Sequence, residues 1–162
     1  MVHADDRASF RRGVRLGVPF SAVGLLLSSS FGVLAVQAGF SPLQALVMSA
    51  LVHAGAAQFA ATSIVAAGGG IVSGVVAASL MNARFLAMGA ALAPSLPGGP
   101  AMRAVQAQTV VDPSWVVASN GDGTFDRWLL FGATAPQYVG WISGTLLGAF
   151  GGDLIGDIER FG

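Results

Sequence analysis

Cysteine is absent from the 162 residues, which removes disulfides, thiol catalysis and thiolate metal sites from consideration and leaves the redox compartment open. Lysine is absent too, so all eight basic residues are arginine. Charge is scarce: 10% of residues are charged, where roughly 25% is ordinary for a soluble domain, so water is a poor solvent for this surface. Eight acids balance eight bases, which gives no sign of nucleic-acid binding. What is abundant is apolar surface, 54% of residues with a mean hydropathy of +0.70, and glycine, 23 residues. Lipid is the solvent that composition fits.

Long apolar runs recur along the chain and predict an all-α, polytopic integral membrane helix bundle of four to five spans with broken or kinked helices. Residues 1–12 read as a polar cytoplasmic tail, and 13–156 as one transmembrane domain. Spans are expected at about 13–38, 42–67, 71–93 and 128–152, with 101–119 broken or re-entrant, inclined to cross, and 157–162 a polar tail. Arg7, Arg11, Arg12 and Arg15 precede the first run and predict a cytoplasmic N-terminus. Ala35-Val-Gln-Ala38 loosely imitates a signal-peptide cleavage site, but the run from Leu16 to Ala38 exceeds the 7 to 15 residues typical of such a segment. Pro19 predicts a kink, and Ser41 with Pro42 predicts a capped helix start. Gly68-Gly-Gly70, Pro94-Ser-Leu-Pro-Gly-Gly-Pro100 and Asn120-Gly-Asp-Gly-Thr-Phe-Asp126 read as connections. The last resembles the start of a calcium loop, but Phe131 stands where the closing acid belongs, so it reads as an ordinary turn.

The stretch Ser49-Ala-Leu-Val-His-Ala-Gly-Ala-Ala-Gln-Phe59 places polar groups near the middle of a span. Ser49, His53, Gly55, Gln58 and Asn82 are the candidates for solute contact; the equally simple alternative for His53 and Gln58 is hydrogen bonding between helices. A broken second span presents helix-end dipoles suited to a zwitterion. Arg84, about 20 Å along its span, either pairs with another group or reaches the headgroups. Asp112 is its candidate counter-ion, a candidate proton-coupling carboxylate, or a loop acid. Gly140, Gly144, Gly148 and Gly152 recur every fourth residue and predict close helix packing. Neither a metal site, a cofactor loop nor a catalytic cluster is legible, and the chain reads as a non-enzyme.

Gly39-Phe-Ser-Pro42, Met48-Ser49, Ala54-Gly-Ala-Ala-Gln-Phe59, the glycines at 68 to 70 and Asn82-Ala-Arg84 together resemble the AzlC-like branched-chain amino acid permeases, over roughly residues 11 to 156. That resemblance implies the large subunit of a two-component exporter in the bacterial cytoplasmic (inner) membrane, with branched-chain amino acids as substrate and a small AzlD-like membrane subunit as partner. It carries over Gln58, Asn82 and Arg84 as motif residues and Asp112 as the acid of a Thr-Asp-Glu-like segment, from which Val111 and Pro113 depart. Family members continue with further hydrophobic segments past the last residue here, so a complete path is expected to need the partner or a homo-oligomer. The competing reading is a non-transporting assembly or scaffold subunit that kept the packing stripes; a membrane-embedded enzyme stands well behind both.

Overall fold

The computed structural model describes the backbone of residues 4–158 and the surroundings of residues up to 151. Its elements are α1 (Ala4–Gln37), α2 (Pro42–Val52), α3 (Gly55–Ala66), α4 (Ile71–Asn82), α5 (Arg84–Leu92) with a 3-10 turn (Ala93–Ser95), α6 (Pro100–Ala107), α7 (Asp112–Ala118) and α8 (Arg127–Ile158). No strand forms among the described residues; Ser119 and Phe125 make an isolated bridge.

Local chemistry accounts for most of the boundaries. Residues 4–12, within the stretch expected to be a polar tail, are already helical in α1, whose first turn carries Asp5 and Asp6, where carboxylates offset the helix dipole. At about 1.5 Å per residue its 34 residues extend about 50 Å, more than a bilayer core of about 30 Å. Among the described residues α1 alone is a single helix long and apolar enough to cross a membrane; α4 with Arg84–Ser95 passes the same test as a broken pair. Ser41 caps α2 reciprocally: its hydroxyl accepts from the Gln44 N–H at 3.2 Å, and Gln44 Oε1 accepts from the Ser41 N–H at 2.8 Å. Gly68 ends α3 with φ +78, and its N–H and that of Gly69 return to carbonyls of the last turn. The stretch 101–119 is broken, α6 and α7 being 8 and 7 residues long.

The chain divides into two compact units, and α1 and α8 contribute to both. The described residues of Met1–Ser21 and Ala83–Gln137 form the first. Its core gathers Leu92, Leu96, Val110, Ala118, Phe125, Leu129 and Leu130. Trp115 ties α7 to α5 by donating Nε1–H to the Met88 carbonyl at 3.3 Å, and Thr134 donates to the Thr109 carbonyl at 2.7 Å. Backbones approach closely here: a side chain at Gly13 or Gly17 would run into the Leu129 or Ala133 carbonyl, and one at Gly132 into the Phe10 carbonyl. Ser21 also donates to the Pro136 carbonyl at 2.6 Å.

Ala22–Asn82 and the described part of Tyr138–Gly162 form the second unit. Phe31, Ala35, Ala45 and Ala149 are its apolar core, and Phe31 meets Phe59 edge-on at 5.8 Å. Gly32 abuts the Thr145 carbonyl, Gly144 the Leu25 carbonyl and Ser28 hydroxyl, and Gly148 the Ser29 carbonyl.

Polarity is distributed the wrong way round for water. Leu51, Ile71 and Leu86 are 74%, 78% and 78% exposed, while Ser28, Ser49, Gln58, Ser114 and Thr145 are fully buried. An apolar exterior over hydrogen-bonded polar groups is the arrangement that a hydrocarbon solvent selects.

Candidate functional site in the second unit

The run expected to be the second span, from 42 to 67, and read also as a broken one, is two helices, α2 and α3, interrupted at His53 and Ala54. His53 closes α2 in the left-handed conformation, φ 41 and ψ 42, which a residue with a Cβ adopts at a cost of about 1 kcal/mol or more. The helix ends formed at such a break leave backbone groups without intrahelical partners. Tyr138 takes one of them, donating its hydroxyl to the Ala50 carbonyl at 2.6 Å. At the other end, no side chain caps the first turn of α3.

Beside the break lies a closed set of hydrogen bonds. Trp141 Nε1–H donates to Gln58 Oε1 at 2.8 Å, and Gln58 Nε2–H donates to Ser49 Oγ at 3.1 Å. Ser49 and Thr145 hydroxyls are 2.7 Å apart, and Thr145 donates to the Trp141 carbonyl at 3.0 Å. Because a hydroxyl carries one proton, Thr145 spends its own on Trp141 and must accept from Ser49. Every donor then points the same way round, from Trp141 through Gln58, Ser49 and Thr145 back to Trp141. Such a ring polarises its members cooperatively, and in a buried setting each bond is costly to lose.

Glycine makes this geometry possible. A Cβ at Gly55 would meet the Trp141 indole at 2.5 Å, so only a bare backbone lets the ring lie against the start of α3. His53 completes the aromatic surround, its ring 4.8 Å from Tyr138 and 6.3 Å from Trp141. Its Nδ1 is buried with no hydrogen-bond partner among the described residues, as is Asn82 Oδ1 at the end of α4. Thr62 Oγ1, one helical turn beyond Gln58, is in the same condition.

Thus the structure brings Ser49, His53, Gly55 and Gln58 together around Trp141. Arg84 and Asp112 belong to the other unit and pair with each other, Arg84 Nη2 donating to Asp112 Oδ2 at 2.8 Å. Both side chains are about half exposed, 48% and 53%, and the guanidinium also lies 5.0 Å over the Phe85 ring. Gly144 and Gly148 close on α1 within the second unit, Gly140 is buried on the same helix, and the surroundings of Gly152 lie outside the described residues. Trp141, Thr145 and Tyr138 were not singled out in the sequence. Their signal was available: Thr145 follows Trp141 by one turn and adjoins Gly144, so a polar pair borders a close helix crossing. The 120–126 loop satisfies itself, Thr124 donating to Asp122 Oδ1 from hydroxyl and backbone and Asn120 donating to Thr124 Oγ1. Those bonds, the hydroxyl's first, hold the Asp122 carboxyl below its ordinary value.

The family model described as AzlC protein matches residues 19–155, a range that contains the whole hydrogen-bonded ring. The chain belongs to the AzlC family. Among curated relatives it is 27% identical to "Inner membrane protein YgaZ" of Escherichia coli, with 92% of this chain and 63% of the relative covered. It is 28% identical to an "Uncharacterized membrane protein" of Archaeoglobus fulgidus, covering 91% and 65%. It is 22% identical to "Branched-chain amino acid transport protein AzlC" of Bacillus subtilis, covering 91% and 59%. This AzlC-family chain therefore spans about three fifths of the length of the relatives it matches. No solved structure matches it. Family membership and the inverted polarity of its surface together make it a membrane protein.

Proposed function

We propose that this chain moves small apolar amino acids of the branched-chain class outward across a bacterial cytoplasmic membrane, as the large subunit of a two-component permease with a small AzlD-like membrane subunit. Membership of the AzlC family supports transport, and the name of the Bacillus subtilis relative, a branched-chain amino acid transport protein, supports the substrate class. The cluster Arg7, Arg11, Arg12 and Arg15 supports a cytoplasmic N-terminus for this multi-pass chain.

The observation that carries the reading is the helix break at His53 and Ala54 beside the Ser49–Gln58–Trp141–Thr145 ring. At a break, N–H groups at the start of α3 favour a carboxylate and carbonyls at the end of α2 favour an ammonium, which is the charge pair of a free amino acid. The ring holds both ends rigid within an apolar medium, so recognition of the zwitterion costs little reorganisation. Gly55 seats the Trp141 indole against the start of α3, and His53 Nδ1 and Asn82 Oδ1 are unpartnered polar atoms available to the solute.

Labelled leucine and valine, loaded into proteoliposomes holding this chain with and without its small partner, test the proposal. Exchange that unlabelled leucine competes and lysine does not is the expected result. A stable two-subunit complex that exchanges neither label under any gradient would replace transport with the scaffold role.

A further inference from the structure

Arg7 and Arg11 lie four residues apart on α1 and so share a face. Together with Asp6, Phe10 and Trp128 they line an open cleft of about 430 Å³ in the first unit. The cleft is a built feature rather than a loose end of chain. Just beyond it, Gly13 closes on the Leu129 carbonyl and Gly132 on the Phe10 carbonyl, and this tight crossing fixes the walls from which Phe10 and Trp128 project.

Its electrostatics are one-sided. Among the described residues neither Arg7 nor Arg11 forms an ion pair, and both are exposed. Arg127 adds a third guanidinium, 5.4 Å over the Trp128 ring. Asp126, the acid beside it, is engaged at the start of α8, where its Oδ1 accepts from the Trp128 and Leu129 N–H groups at 3.0 Å each. Against the three guanidiniums of Arg7, Arg11 and Arg127 stand the carboxylates of Asp6 and Asp126, so positive charge is in excess by one along and beside the cleft. The apolar part of α1 begins within two turns of Arg11, which puts the cleft at the depth of the headgroups, where tryptophan is also at home.

We propose that this cleft binds a phosphate-bearing anion, held by the forked N–H groups of Arg7 and Arg11 while Phe10 and Trp128 cover its apolar remainder. Guanidinium forks match phosphate oxygens in pairs, and the aromatic walls suit the glycerol and first methylenes of an anionic phospholipid. The same phosphate chemistry is offered by free inorganic phosphate.

Native mass spectrometry of the full chain in detergent, with phosphatidylglycerol, phosphatidylcholine and inorganic phosphate as probes, tests this. Phosphatidylglycerol should be retained and phosphatidylcholine lost. The double change Arg7→Gln with Arg11→Gln should weaken phosphatidylglycerol binding roughly thirtyfold, and Arg11→Gln alone roughly fivefold. Arg12→Gln with Arg15→Gln, which removes equal charge outside the cleft, should weaken it much less. Displacement of the lipid by millimolar phosphate would assign the site to the phosphate group alone; retention against it would assign the site to the whole lipid. Equal retention of both phospholipids, or equal losses from the two double variants, would overturn the proposal.

Discussion

Ser49 and Thr145, 96 residues apart in the chain, hold their hydroxyls 2.7 Å from each other with both side chains fully buried. Their bond is the step that closes the ring, since Thr145 lies one turn from Trp141 and Ser49 accepts from Gln58. Thr145→Val keeps the shape, removes the acceptor of the Ser49 proton and frees the Trp141 carbonyl. A stability loss of about 1 to 3 kcal/mol is expected, read from thermal unfolding in detergent. Gln58→Leu opens the ring at two bonds and should cost at least as much, with leucine exchange falling at least tenfold in variants that still assemble. Full exchange in Gln58→Leu would separate the ring from transport.

The glycine stripe is tested by contrast between positions on one helix. In Gly148→Ala the new methyl enters the Ser29 carbonyl, and in Gly144→Ala it enters the Leu25 carbonyl. Each should lower stability by about 1 to 3 kcal/mol through overpacking. Gly151→Ala, with nothing within 4 Å, should be neutral or gain up to about 1 kcal/mol from helix propensity. The comparison needs thermal midpoints of the three variants side by side.

His53 combines a left-handed backbone with ring contacts, and the two roles separate by substitution. Asparagine tolerates that backbone, so His53→Asn should fold with a midpoint near that of the parent while exchange falls. His53→Val adds β-branched strain and should lose about 1 to 2 kcal/mol more than His53→Asn. Equal exchange in parent and His53→Asn would remove the imidazole from the site.

Arg84 and Asp112 pair at 2.8 Å with both side chains about half exposed, so each charge retains part of its solvation. Neutralising either one should cost less than about 1 kcal/mol, and reversing both together should recover most of that loss. Leucine exchange measured under an imposed proton gradient should stay within a few-fold of the parent in Asp112→Asn. Its abolition, with the fold intact, would make Asp112 a proton carrier rather than a structural counter-ion.

Asp122 supplies a pH dependence. Hydrogen bonds from Thr124 hold its carboxyl below the ordinary value, so the folded loop is favoured above that value and the advantage is lost as pH falls through the depressed one. The slowing of Thr124 amide exchange relative to its intrinsic rate should therefore be greatest at neutral pH and shrink as the carboxylate is protonated in acid. In Asp122→Ala that pH-dependent loss of protection should disappear.

Local punctuation was legible because a few adjacent residues decide it. Ser41 and Pro42 announce the start of α2 by reciprocal capping, Gly68 marks the end of α3 with a positive φ, and the Pro- and Gly-rich stretch from 94 to 100 interrupts the chain around the 3-10 turn. The glycine spacing of α8 likewise flagged where backbones meet, at Gly144 and Gly148. The position of the break in the second span was hidden, since no proline stands there and the left-handed residue is a histidine rather than the glycine two positions later. The polar stretch before the first span is helical as well, and Asp5 and Asp6 suit its first turn.

From the amino-acid order alone came the solvent and the class: so little charge and such long apolar runs leave a lipid-embedded helical protein as the consistent reading, and short motifs point to its family. Which buried polar groups meet was decided only in three dimensions. Trp141 finds Gln58 across 83 residues, and Thr145 finds Ser49 across 96, because α2 and α3 lie against α8, where Gly55 leaves room for the Trp141 indole. Hydrogen bonding falls off within an ångström or so, and sequence spacing carries no such distance between separate helices.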